Sequence, residues 1–132
     1  MHDTRLSGCH VLIIENNFFQ AEDSRDSLTD AGAVVAACRA TPPDLDELLA
    51  DTRVDIAVLD INLGQTHSFD LARALLARGI PFVFLTGYDP AIVPPDLAAA
   101  PVIAKPADIA NLIDALTRRL GADGPGAGGG PG

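Results

Sequence analysis

Four residues able to take part in phosphoryl transfer each follow a short apolar run of the sequence. They come after the first, third, fourth and fifth runs, and are Glu15, Asp60, Thr86 and Lys105. Two carboxylates brought together would attract a hard divalent cation such as Mg²⁺. A lysine and a hydroxyl would hold phosphoryl oxygens, and a carboxylate can accept the group as an aspartyl phosphate. If the fold unites these residues, Asp60 is the expected nucleophile.

Five apolar runs predict the strands that would position these side chains. They cover residues 11–14, 34–37, 56–59, 82–85 and, more weakly, 102–104. Runs that are apolar almost throughout are typical of strands buried on both faces of a parallel sheet.

Amphipathic stretches between the runs predict helices. Their apolar positions lie at residues 18–28, 45–49, 71–76 and 109–120. Gly32 and Gly79 are expected to end the first and third helices, because glycine readily adopts the conformation that follows a helix. Asn17 is expected to cap the first helix, and Phe18 and Phe19 are expected to pack it against the core.

Five strand–helix steps predict an α/β fold, a doubly wound five-stranded parallel sheet with right-handed crossovers. Ligands in such sheets bind beyond the carboxyl ends of the strands, where the four candidate residues would meet. The segment before the fifth strand contains Pro90, Pro94 and Pro95. Proline interrupts helices, so a shortened or irregular fourth helix is expected there.

The chain of 132 residues suits one domain. We expect an N-terminal extension at 1–9, the domain at 10–120, and a disordered Gly/Pro-rich tail at 121–132.

The net charge of −9 argues against nucleic acid and anionic membranes as partners. Cys9 and Cys38 are interpreted as reduced core residues, and without a signal peptide or membrane span a cytoplasmic location is expected.

Four segments carry a resemblance to a known family. They are Ile-Ile-Glu-Asn-Asn at 13–17, Val-Leu-Asp-Ile-Asn-Leu-Gly at 58–64, Phe-Leu-Thr-Gly-Tyr-Asp at 84–89 and Ile-Ala-Lys-Pro at 103–106. In this order, each at a strand end, they resemble the signature segments of response-regulator receiver domains of two-component systems, which have a flavodoxin-like fold. The third segment also resembles single-domain receivers of the FAT GUY group, although Leu85 and Asp89 depart from that pattern.

The resemblance implies a role for each candidate residue. Asp60 matches the phosphoacceptor, Thr86 the switch hydroxyl, and Lys105 the lysine that precedes proline. The implied ligands of Mg²⁺ are Glu15, Asn16, Asp60 and, through its backbone carbonyl, Asn62.

Two residues depart from the family pattern. Asn16 stands where most receivers carry a second acid, so Mg²⁺ binding is expected to be weak. Val102 stands where receivers usually have a tyrosine or phenylalanine whose ring moves on phosphorylation, so that relay is not expected here.

The resemblance implies a single-domain response regulator rather than an enzyme. It would accept a phosphoryl group on Asp60 from a sensor histidine kinase or phosphotransfer protein and would signal by binding a downstream protein. At most it would catalyse its own phosphorylation and dephosphorylation. The alternative is a pseudo-receiver, a docking module independent of phosphate, which Asn16 and Val102 favour. An enzyme on the same architecture is disfavoured, because the glycine-rich first turn of nucleotide-binding enzymes and the G-x-S-x-G elbow are absent.

Overall fold

A computed structural model describes residues 6–64, 66–87, 92–105 and 109–123. The strands are β1 (His10–Ile14), β2 (Val34–Arg39), β3 (Ile56–Asp60), β4 (Phe82–Thr86) and β5 (Val102–Ala104). The helices are α1 (Phe18–Asp30), α2 (Leu45–Asp51), α3 (Phe69–Ala77) and α4 (Ile109–Asp123). The predicted α/β fold class is confirmed.

The five strands form one sheet in the order β2-β1-β3-β4-β5, and all neighbouring pairs are parallel. From β1 the chain runs outward to β2, then crosses back to β3 on the other side. The order therefore reverses between β1 and β3, which is where doubly wound sheets bind ligands. Glu15 and Asp60 stand at that reversal.

Apolar side chains cover both faces of the sheet, since the central strands β1, β3 and β4 are almost wholly buried. On one face Leu12 and Phe84 pack with Leu75 of α3. On the other face Ile13 packs with Leu28 of α1, in a layer that α4 also joins. None of the helices in the described ranges is long and apolar enough to cross a membrane.

The described part of the segment between β4 and β5, residues 92–101, is irregular, as expected from its prolines. It contains a 3₁₀ turn, Pro95–Leu97, in which Leu97 is buried. Arg73 of α3 donates two hydrogen bonds to the Asp96 carboxylate, of 2.8 and 3.1 Å. The turn is thereby tied to α3.

Helices α1 and α3 end close to the glycines that were expected to end them. After α1, Gly32 has φ = +95°, and after α3, Gly79 has φ = +71°. A side chain on Gly32 would also lie 3.0 Å from the backbone of Ser7. The backbone conformation at both positions favours glycine.

The expected packing of Phe18 and Phe19 is wrong. Their exposed fractions are 70% and 79%, whereas Ala21 and Leu28 on the same helix are buried. The first turn of α1 begins directly after the short loop 15–17 that follows the carboxyl end of β1. The two rings contact each other edge-to-face, with centroids 5.6 Å apart.

The ends of the domain differ in detail from the expected boundaries. Leu6, in the expected N-terminal extension, is fully buried in the layer that contains α1 and α4. The last helix extends to Asp123, beyond the expected end at residue 120. The rest of the predicted tail lies outside the described residues, as do residues 1–5. Cys9 and Cys38 are free thiols of intermediate exposure.

Candidate functional site

The structure brings Glu15, Asp60 and Lys105 into direct contact at the carboxyl ends of the strands. The Lys105 Nζ atom lies 2.8 Å from Glu15 Oε1 and 3.1 Å from Asp60 Oδ2. The side chains of Glu15 and Asp60 are only 3% and 7% exposed, and that of Lys105 is 19% exposed. Two nearly buried carboxylates therefore share one ammonium group.

Strand register explains this arrangement. Ile14 pairs with Leu59, so the next residues, Glu15 and Asp60, leave neighbouring strands at the same level. Lys105 follows β5, and its backbone N–H donates to the Thr86 carbonyl at 2.8 Å. The side chain of Lys105 reaches from there across to Asp60.

The crowding of the two carboxylates changes the ionisation of Asp60. Burial, together with a hydrogen bond to Glu15, raises the pKa of Asp60 to about 6, although the Lys105 ammonium acts in the opposite direction. A carboxylate whose pKa is raised by burial and by a like-charged neighbour would be relieved by an additional cation. The site therefore holds more negative charge than Lys105 alone balances.

These side chains line an open pocket of about 430 Å³. Its lining residues are Glu15, Asn16, Asn17, Gln20, Asp60, Asn62, Gly64, Gly87 and Lys105. Of the predicted site residues, Thr86 is missing from this lining. Its side chain is buried at the end of β4, directly before Gly87.

The oxygen donors at this site fit a divalent cation. Glu15 and Asp60 supply carboxylate oxygens, while Asn16 adds an exposed, uncharged amide. The Asn62 side-chain oxygen accepts the Gly64 N–H at 2.9 Å, so the backbone carbonyl of Asn62 is its more available ligand. Across the described ranges there is no group of three or more His, Cys, Asp or Glu side chains able to hold a metal. A set of ligands made of oxygen atoms alone is the kind that Mg²⁺ prefers.

Two residues of the pocket have contacts that the sequence analysis did not anticipate. Asn17 caps α1 as expected, since its Oδ1 accepts the Gln20 N–H at 3.0 Å, but its own N–H also donates to Glu15 Oε2 at 3.0 Å. Gln20 Oε1 lies 2.6 Å from Lys105 Nζ. A polar residue in the first turn of an amphipathic helix gives no sequence signal for such a contact.

Val102 lies opposite Phe84 of β4 and packs, partly buried, against the core. An aliphatic side chain of this size has no ring to rotate, so an aromatic relay at this residue is ruled out by its chemistry. Tyr88, Asp89 and Pro106, which the resemblance also used, lie outside the described residues. The assignment to the FAT GUY group therefore stays a prediction.

Comparisons with known proteins agree with this architecture. The response regulator receiver domain family matches residues 11–117. No relative was found among curated protein sequences.

Several solved structures are similar to the chain. A response regulator receiver protein from Sinorhizobium medicae has 24% identity, with 89% of this chain and 98% of that one covered and a TM-score of 0.72. The receiver domain of the PhyR response regulator from Erythrobacter litoralis has 21% identity, coverages of 86% and 91%, and a TM-score of 0.75. The receiver domain of a modulated diguanylate cyclase from Desulfovibrio desulfuricans has 24% identity, coverages of 89% and 97%, and a TM-score of 0.78. With the family match over most of its length, the chain belongs to the response regulator receiver domains of two-component systems.

Proposed function

We propose that this receiver domain accepts a phosphoryl group on Asp60 from a sensor histidine kinase or phosphotransfer protein in the cytoplasm, and then signals by binding a downstream protein. One observation carries the proposal: Asp60 is a nearly buried carboxylate, at the mouth of an open pocket, held between Glu15 and the ammonium of Lys105. A carboxylate that served only to stabilise the fold would need neither a second carboxylate beside it, such as Glu15, nor a pocket open to solvent.

The reaction balances as a transfer between two protein side chains. An Asp60 carboxylate oxygen attacks the phosphorus of a phosphohistidine on the donor. The P–N bond breaks, its electron pair stays on the imidazole nitrogen, and that nitrogen takes a proton from water. The product is an acyl phosphate on Asp60, with Lys105 placed to donate to a phosphoryl oxygen.

Mg²⁺ would be held by Glu15, Asp60, the amide oxygen of Asn16 and the carbonyl of Asn62. When bound, it would screen the charge of the incoming phosphoryl group. The protein residues contribute position and charge, which are the main demands of phosphoryl transfer.

Phosphorylation would be read out by a change in conformation around Thr86. A dianionic group on Asp60 would draw donors toward it, and the Thr86 hydroxyl stands at the neighbouring strand end. Lys105 is linked by its backbone to Thr86, so movement there would reach β5 and the segment 92–101. Adding beryllofluoride, a phosphoryl mimic, is expected to shift the NMR signals of Thr86 and residues 92–105. Unchanged signals there would refute this switch.

The pseudo-receiver alternative rests on Asn16 and Val102, the two residues that depart from the family pattern. Incubation with acetyl phosphate and Mg²⁺, followed by measurement of intact mass, separates the two functions. The proposal predicts a gain of one phosphoryl group. A protein that gains no mass from acetyl phosphate or from a phosphorylated histidine kinase would be a pseudo-receiver.

The exposed pair Phe18 and Phe19 suits the docking of a protein donor. The pair lies between Asn17 and Gln20 in sequence, two residues that line the pocket. A protein that delivers a phosphohistidine to Asp60 must cover this rim, and burying two aromatic rings would stabilise the complex. Acetyl phosphate is too small to need the contact.

Replacing both phenylalanines with serine is therefore expected to slow phosphotransfer from the protein donor about tenfold or more. Labelling by acetyl phosphate should stay within about twofold of the wild type, because serine and phenylalanine have similar helix propensity. Leu76→Ser is the matched control, since Leu76 is 52% exposed on α3 and does not line the pocket. Equal slowing with both donors would argue against a docking role.

A further inference from the structure

Lys105 makes a hydrogen bond that lies outside the set of residues predicted from the sequence. Its Nζ atom is 2.6 Å from Gln20 Oε1, closer than to Glu15 Oε1 at 2.8 Å or Asp60 Oδ2 at 3.1 Å. An ammonium group has three N–H donors, so these acceptors match its full capacity. The neutral glutamine thus holds the ammonium as closely as the two carboxylates do.

Gln20 is itself fixed by a closed ring of four hydrogen bonds. Lys105 Nζ donates to Gln20 Oε1 and to Glu15 Oε1. The Gln20 N–H donates to Asn17 Oδ1, and the Asn17 N–H donates to the other oxygen of Glu15. The ring joins the end of β1, the capped first turn of α1 and the residue after β5. Asp60 stands outside the ring and receives the remaining N–H of Lys105.

We propose that Gln20 is a positioning residue for Lys105 in the transfer of the phosphoryl group to Asp60, an inference that rests on the proposed function. Two N–H groups of Lys105 stay bound to Glu15 and Gln20. The third moves from Asp60 Oδ2 to an oxygen of the arriving phosphoryl group. The ammonium therefore needs no large movement when charge arrives.

Such placement matters because a lysine side chain is long and flexible. Without Gln20, one N–H would turn to water at the exposed rim of the pocket, and the ammonium would lose one of its two fixed anchors. A preorganised donor stabilises developing charge better than one that must be oriented during the reaction. The ring includes Asn17, which joins Glu15 to Gln20.

The contact can be tested directly because Lys105 is the only lysine in the sequence. Protein grown with ¹⁵N-lysine has a single side-chain ammonium signal. Gln20→Met keeps the length and helix propensity of the side chain but removes the acceptor, whereas Gln20→Glu restores an acceptor. We expect hydrogen exchange between the ammonium and water to rise about three- to tenfold in Gln20→Met. It should stay near the wild-type value in Gln20→Glu.

The same variants test the effect on the reaction. With acetyl phosphate and saturating Mg²⁺, Gln20→Met is expected to gain the phosphoryl group about three- to tenfold more slowly than the wild type. Thr29→Met, an exposed position further along α1, is the control and should react at the wild-type rate. If the ammonium of Gln20→Met exchanged hydrogen with water at the wild-type rate, or if the variant were labelled at the wild-type rate, the inference would be overturned.

The two measurements separate this inference from the proposed function. If the wild type took no label, the proposed function would be wrong, while the ammonium signal would still decide whether Gln20 holds Lys105. If the wild type were labelled and Gln20→Met were labelled equally fast, only the role of Gln20 would fall.

Discussion

Replacing Asp60 with asparagine is expected to abolish phosphoryl labelling and, at the same time, to make the protein more stable. The amide cannot form an acyl phosphate, so labelling by acetyl phosphate or a kinase should fall by at least about a hundredfold. The gain in stability has a separate cause, the cost of holding a charged carboxylate in a nearly buried site.

That cost has a definite pH dependence. Burial, with the hydrogen bond to Glu15, raises the pKa of Asp60 from 3.8 to about 6. The folded state therefore binds a proton more tightly than the unfolded state, and stability falls as the pH rises through this interval. At about pH 7.5 without Mg²⁺, Asp60→Asn should exceed the wild type in unfolding free energy by about 1–3 kcal/mol. The difference should shrink by about pH 4.5.

Urea unfolding at the two pH values, with EDTA present, measures this difference. Asp51→Asn is a suitable control, because Asp51 is an exposed carboxylate at the end of α2, and its replacement should change neither labelling nor stability appreciably. A less stable Asp60→Asn protein near neutral pH would show that the site does not strain this carboxylate. Labelling of that variant at the wild-type rate would exclude Asp60 as the acceptor.

Replacing Asn16 with aspartate is expected to tighten Mg²⁺ binding about ten- to thirtyfold. Asn16 lines the pocket with Glu15 and Asp60, which are the two carboxylates among the described residues that line it. One more negative charge near a divalent cation at a solvent-exposed rim contributes about 2 kcal/mol. At limiting Mg²⁺, phosphorylation by acetyl phosphate should accelerate by a similar factor. Without Mg²⁺ the variant should be less stable, since a third acid adds repulsion.

Asn17→Asp is the matched control for this change. It adds the same charge one residue away, but the Asn17 side chain is used to cap α1, a role that aspartate fills equally well. Its Mg²⁺ affinity should rise much less than that of Asn16→Asp. Isothermal titration of both variants gives the comparison. Wild-type affinity in Asn16→Asp would mean that residue 16 does not face the cation.

The sequence was a good guide to the strands and to the residues at their ends. Runs such as 56–59 are apolar because both faces of the sheet are covered, and burial of this kind can be recognised from the local amino-acid composition. Asp60 and Lys105 could be placed together because parallel strands end at one edge. The prolines in the segment before β5 likewise predicted an irregular backbone there, since proline restricts the backbone conformation locally.

Features that depend on contacts between distant residues were not predictable in this way. Gln20 and Lys105 are 85 positions apart, and no local pattern relates a helix glutamine to a lysine beyond β5. Periodicity placed Phe18 on the buried face of α1, but that face is covered only where the sheet extends beneath it. The ion pair between Arg73 and Asp96 depends in the same way on how the 3₁₀ turn meets α3.

Reductive trapping of the wild-type protein tests most directly whether Asp60 is the phosphoacceptor. An acyl phosphate reacts with borohydride, which converts the aspartate that carries it to homoserine. After treatment with acetyl phosphate and Mg²⁺, peptide mass spectrometry should find homoserine at residue 60 and at no other aspartate. Modification of another residue, or none after the protein has been exposed to both acetyl phosphate and a phosphorylated kinase, would contradict the account.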